Sequence, residues 1–151
     1  MSGLHPNNQD AVRHWSTTLA EHIRVVNFVG ARPIFAEDMV AFGTFTDFMT
    51  GRDKAEQSQW RPVWHHIDGF RFRAGIRAIV SSDRLQAVGM GVFDSTGYQQ
   101  DGTPYDRPGR TTVVLVRSSV DQPFVAQHTH MSLFRDVPTR SYRDKPEKPA
   151  P

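Results

Sequence analysis

Apolar residues recur at steps of three and four early in the chain and at steps of two after residue 70, which predicts helices first and strands second. Val12, Trp15, Leu19, Ile23 and Val26 form one apolar stripe, predicting an amphipathic helix of about 20 residues. Pro6-Asn7-Asn8 supplies its start signal and Gly30 its stop. Pro33 opens a short helical turn holding Ile34 and Phe35, which Glu37-Asp38 ends, and Met39 to Phe42 reads as a brief strand. Asp53-Lys54-Ala55-Glu56 has the form of a capping box, and Ala55, Trp60, Val63 and Trp64 share one face. This predicts a helix over 53–60, then a kink or second short turn carrying Trp64, because Pro62 has no N–H to give and crowds the turn before it.

Phe70, Phe72, Ala74, Ile76, Ala78 and Val80 alternate with Arg71, Arg73, Gly75, Arg77 and Ile79, the pattern of a half-buried strand. Ser81-Ser82-Asp83 reads as a turn, and 85–94 as the next strand. Gly89 and Gly91 inside it predict a bulge, a bend or a close approach by another group. Residues 95–109 form a long polar connection, followed by strands 110–118 and 124–134 joined at Asp121-Gln122-Pro123. This order predicts one α+β domain over 1–134: helices packed on a strongly curved mixed or antiparallel sheet, with the bent sheet leaving a cone with an open mouth. Residues 135–151 hold four of the ten prolines and alternate charges, which predicts a flexible tail.

A chain of 151 residues is one domain's worth and can bury a core without metals or disulfides. With no cysteine, it has neither a thiol nucleophile nor a thiolate metal site. No apolar run approaches the ~18 residues of a membrane span, and MSGLHPNNQD has no secretory signal, so the expectation is a cytoplasmic protein without a membrane partner. The net charge of +2, from 18 basic and 16 acidic side chains, makes no polyanion footprint. Arg71, Arg73 and Arg77 share a strand face opposite Phe70 and Phe72, so they read as a solvated or subunit-facing edge and no nucleic-acid partner is expected.

Three segments carry a family resemblance: Phe35-Ala36-Glu37-Asp38-Met39-Val40-Ala41-Phe42-Gly43, Gly51-Arg52-Asp53 and Phe124-Val125-Ala126-Gln127-His128-Thr129-His130-Met131-Ser132. In this order they resemble the nuclear-transport-factor-two-like superfamily, the SnoaL-like or ketosteroid-isomerase-like domains with a cystatin-like fold, over residues 10–134. The resemblance implies a homodimer and a small-molecule pocket between sheet and helices. It implies no single activity, since the fold hosts isomerases, dehydratases, hydrolases and non-catalytic assembly domains. The Asp base of ketosteroid isomerases would fall near Gly43, where this chain has none.

His128 and His130 stand two apart on the last predicted strand and share a face with Ala126 and Ser132. If that face is concave, both imidazoles look into the pocket and His130 can move a proton; the alternative is a structural or subunit-facing pair. No Glu follows at Phe134 or Arg135, so His-x-His lacks a third ligand and no metal is expected. Arg110, with Thr112 beside it, can hold an anionic oxygen, or pair at the surface with Asp94 or Asp106. Asp94 can orient His130, and Tyr98 or Tyr105 can donate to an oxyanion, against plain turn and loop packing. Trp60, Trp64, Phe70 and Phe72 read as a pocket wall or as core, and His65 and His66 as a helix end favoured by its dipole. Two hypotheses follow. One is cofactor-independent acid–base chemistry on a small cyclic molecule with a polar end; the other is a non-catalytic ligand-sensing or oligomerisation module.

Overall fold

The structure, a computed structural model, describes residues 7–148; Pro6 of the predicted helix start and the last three residues lie outside this range. Helix α1 spans Asn7–Arg24 and buries Val12, Trp15, Leu19 and Ile23 as the stripe predicts. The Trp15 indole donates to Ile34 O at 2.9 Å, tying the helix to the chain that follows. α1 ends earlier than Gly30: Val26 adopts φ 53 and turns the chain. Asn27 then caps a second short helix, α2 (Phe28–Ala31), through Gly30 N, so Gly30 lies inside that helix instead of closing the first. A 3-10 turn, Arg32–Ile34, leads into strand β1 (Phe35–Phe42), which begins at Phe35 where the sequence pattern still predicts a helical turn.

β2 (Phe48–Thr50) pairs antiparallel with β1; three residues are too few for a period to show. α3 (Arg52–Ala55), a π-helical turn (Glu56–Trp60) and α4 (Arg61–Trp64) then run on as one helical segment. Pro62 falls inside this continuous segment, and the wide π turn directly before it takes the place of a kink.

The predicted strand 70–80 is two strands, β3 (Asp68–Phe72) and β4 (Arg77–Val80), because Gly75 at φ 91 breaks the extended chain between them. β5 (Gln86–Tyr98) runs past its predicted end, and β6 (Pro104–Asp106) folds back on it. Most of the predicted long loop is therefore a hairpin. β7 (Gly109–Val116) and β8 (Val125–Leu133) complete one sheet of order β2-β1-β8-β7-β5-β3, with β4 and β6 also paired to β5. β1 and β8 are parallel and the other pairs antiparallel, so the sheet is mixed. α1 packs on β3 and β4 while α3 packs on β1 and β2, so the sheet wraps round the helices. Gly89 lets α1 close in: a Cβ there would stand 2.9 Å from Val12 Cγ1.

One irregularity decides the site. Leu115 pairs with Ala126 but Val114 pairs with His128, leaving Gln127 as an extra residue in β8. Such a bulge reverses the alternation beyond it. Ala126 faces the core, Gln127 bulges outward, and from there Thr129 and Met131 point in while His128 and His130 point out.

After β8 the chain has no regular structure but runs back along the body. Ser141 Oγ donates to His66 O at 2.5 Å and accepts from Tyr98 N at 2.7 Å. The ring nitrogens Nδ1 of His65 and His66 donate to Lys145 O and Arg143 O. Among the described residues no helix is long and apolar enough to cross a membrane.

Candidate functional site

Between the helices and the inner face of the sheet lies a hollow whose open volume is about 40 Å³, room for a few waters. Trp60 and Trp64 line it from the helical segment, their rings stacked 5.1 Å apart at 13°. They reach it together because four residues return a helix to the same face. Phe70, Met49 and Met131 close it from the sheet. A wider chamber of about 550 Å³ adjoins it, walled in part by Ser58, His66 and Thr139 to Ser141 of the returning tail. Gln59, Val63, Ile67 and Arg107 line both spaces and form the neck between them.

Four polar side chains face this otherwise apolar interior: Thr44, Gln59, Arg107 and Thr129. Arg107 sits in the link between β6 and β7 and is only 4% exposed. Ser95 clamps its backbone on both sides, accepting from Arg107 N at 2.8 Å and donating to Arg107 O at 2.7 Å. Burial lowers the proton affinity of its guanidinium below the ordinary arginine value, and Tyr105 opposes that weakly. Gln59 enters the neck across Gly43, where a Cβ would stand 2.1 Å from Gln59 Oε1. Thr44 Oγ1 is buried without a hydrogen-bond partner. Among the described residues the side chains of Gln59, Arg107 and Thr129 make no protein hydrogen bond, but unlike Thr44 Oγ1 their polar atoms are not fully enclosed. Buried polar groups are normally paired, so the enclosed Thr44 Oγ1, together with three further unpartnered polar side chains on the lining of one hollow, needs an explanation.

Of the residues singled out by sequence, Trp60 and Trp64 line the hollow. The expectation that His128 and His130 look inward is corrected by the Gln127 bulge. His130 is exposed on the outer sheet face with its ring 5.2 Å from Phe42, and His128 Nδ1 donates to Val40 O at 2.6 Å. Arg110 and Thr112 are on the same outer face, Arg110 lying over the Phe134 ring at 4.3 Å. Asp94 is not beside His130: His130 is in a cross-strand row with Thr112 and Met90, four residues short of Asp94 and so about 13 Å away along the strand. Asp94 instead takes both arms of Arg73 at 2.9 Å, which holds its carboxyl below the usual range. Phe72 packs edge-on to Phe70 outside the hollow. Tyr98 donates to Asp68 at 2.6 Å and accepts from Arg143 of the tail, and Tyr105 donates to Arg140 O at 2.9 Å, so both hold the tail and neither lines the hollow. Among the described residues no cluster of His, Asp and Glu is placed to hold a metal ion.

Sequence reasoning missed Arg107, Gln59, Thr44 and Thr129. Nothing in Asp106-Arg107-Pro108-Gly109 distinguishes a buried arginine from a loop arginine. Gln59 carried the one usable signal, since it directly precedes Trp60 in the helical segment.

The sequence matches no protein-family model and no curated protein. Among solved structures it resembles a candidate scytalone dehydratase from Novosphingobium aromaticivorans over all of both chains, at 15% identity and TM-score 0.74. It also resembles a nuclear-transport-factor-two-like superfamily protein from Salmonella enterica, covering 88% of this chain and 95% of that one at 12% identity and TM-score 0.71. A ketosteroid isomerase-like protein from Erwinia carotovora atroseptica gives the same TM-score at 11% identity, covering 85% of this chain and 98% of that one. Identities this low speak to architecture alone.

Proposed function

Taking the nuclear-transport-factor-two-like fold as the premise, we propose that the protein binds a small, mainly apolar cyclic molecule in the hollow behind Trp60 and Trp64. The observation that carries this reading is the set of four polar side chains without protein partners, Thr44, Gln59, Arg107 and Thr129, on the lining of an otherwise apolar hollow. Leaving such groups unpaired costs stability, and a ligand with a polar end recovers that cost. The hollow as it stands is too small for a six-membered ring. Met49 and Met131, unbranched and adaptable, are the side chains that give way when a ring enters from the outer chamber.

Binding without turnover is the favoured form, because the side chains lining the hollow include no Asp, Glu or His among the described residues. Acid–base catalysis of the isomerase or dehydratase kind is the second reading, and His66 supports it. His66 lines the outer chamber, where its Nδ1 donates to Arg143 O with Asp144 Oδ1 also 3.1 Å away. We also propose that the protein is a homodimer joined through the outer sheet face, where Ile79 is 66% exposed and His130, Thr112 and Arg110 stand.

Tryptophan emission tests the binding reading. Small cyclic alcohols, ketones and acids are expected to change it saturably, and Met131→Phe, which fills the hollow, to weaken that response. A flat titration with every ring tried contradicts it. Turnover of a bound molecule that His66→Gln abolishes would establish the catalytic reading instead.

A further inference from the structure

Arg107 differs from every other polar group at the neck in carrying a charge that it cannot shed. Three other arginines have oxygen partners, although Arg52 also keeps an enclosed Nε without one. Arg32 holds Asp53 and Glu56 at 2.5 and 2.7 Å, Arg73 forks onto Asp94, and Arg52 donates to the carbonyls of Arg32 and Phe35. Arg107 is 4% exposed, yet among the described residues no carboxylate or carbonyl answers its guanidinium. Ser95 pins its backbone and Pro108 stiffens the next residue, so the side chain starts from a fixed point on the wall of the neck. A buried, unanswered cation is unfavourable in the empty protein, and it persists where a ligand supplies the counter-charge.

We propose that the ligand of the hollow is an apolar cyclic monocarboxylate, with its carboxylate received by Arg107 at the neck. The inference rests on the binding reading above and specifies its substrate class. One guanidinium matches one carboxylate bidentately. The other polar side chains lining the hollow, Gln59, Thr44 and Thr129, are neutral and supply hydrogen bonds but no second positive charge. That balance favours a monoanion over a phosphate, whose further charge would have no partner at this depth. The stacked tryptophans and Phe70 then face the ring of the molecule.

Matched pairs of probes test this: cyclohexanecarboxylate against cyclohexanecarboxamide, and benzoate against benzamide, with phenyl phosphate as a third arm. Affinities are measured calorimetrically at neutral pH on the full chain, for wild type, Arg107→Met and Arg107→Lys. The acids are expected to bind wild type at least about 30-fold tighter than the amides, the size expected for a buried charged hydrogen bond. Arg107→Met abolishes that preference, while Arg107→Lys keeps part of it. Arg107→Met removes an unbalanced charge, so it melts no lower than wild type, and lost binding is then not lost fold. Equal binding of acid and amide, an Arg107→Met variant that keeps its preference for acids, or phenyl phosphate bound more tightly than benzoate would overturn the carboxylate assignment while leaving the binding reading in place. If no acid and no amide binds, the binding reading itself fails and the assignment falls with it.

Discussion

The same side chain serves two purposes at Arg73 and Arg107, and their surroundings decide which. Arg73 is half exposed and grips Asp94 at the surface, where water screens the pair and the bond mainly positions a strand end. Arg107 is enclosed, its chain clamped by Ser95 and its charge left open to the neck. The empty protein should therefore be more stable without that charge. Arg107→Met is expected to raise the apparent melting temperature by roughly 3–10 °C, corresponding to about 1–3 kcal/mol for a chain of this size. A thermal melt of the ligand-free variant checks this, and a lower melting temperature would mean that Arg107 is a structural group with a partner inside the fold.

Packing between elements depends on a few close approaches. α1 reaches β5 because Gly89 presents bare backbone to Val12 and Val113. Gly89→Val is expected to destabilise by about 1–3 kcal/mol in a denaturant titration, since the added carbons meet two methyl groups already in place. The last turn of α1 carries a second dependence. Burial keeps the His22 imidazole below its ordinary proton affinity; Glu21 pulls the other way and Lys148 reinforces burial. The unfolded chain thus takes up a proton at higher pH than the folded chain does. The contribution of His22 is complete above about pH 6.5 and declines as pH falls below it. His22→Gln is expected to flatten that part of the stability–pH curve, and an unchanged slope between neutrality and pH 5 would contradict it.

These elements also show what a sequence can reveal. The stripe of α1 was legible because regular burial leaves a regular pattern, and Trp60 and Trp64 were legible because helical spacing fixes which residues share a face. The imidazole pair was misplaced because one inserted residue, Gln127, exchanges the two faces of β8, and no turn residue or glycine marks it. Arg107 was illegible for another reason. Its burial follows from β6 folding back on β5, a long-range pairing inside a stretch whose composition reads as loop. Gly75 is the contrary case: the residue that breaks β3 from β4 stood in plain view, inside an alternation strong enough to hide it.

At the scale of the whole molecule, the returning tail joins the body and the site. Ser141 bridges His66 to Tyr98, Arg143 reaches Asp68 and the Tyr98 hydroxyl, and Thr139 to Ser141 wall the outer chamber. Removing residues 138–148 is expected to cost about 2 kcal/mol or more, from a few hydrogen bonds at roughly 1 kcal/mol each. It should also speed ligand association, which stopped-flow fluorescence reads; an unchanged melt together with an unchanged rate would show that the tail does neither. The most direct test of the central claim uses the methionines as reporters. Met49 and Met131 line the hollow, whereas Met90 lies in the outer-face row with Thr112 and His130. With the methionine methyls labelled with carbon-13, titration with cyclohexanecarboxylate is expected to shift the Met49 and Met131 signals saturably and to leave Met90 in place. Shifts confined to Met90, or no saturable shift at Met49 and Met131, would contradict an interior site.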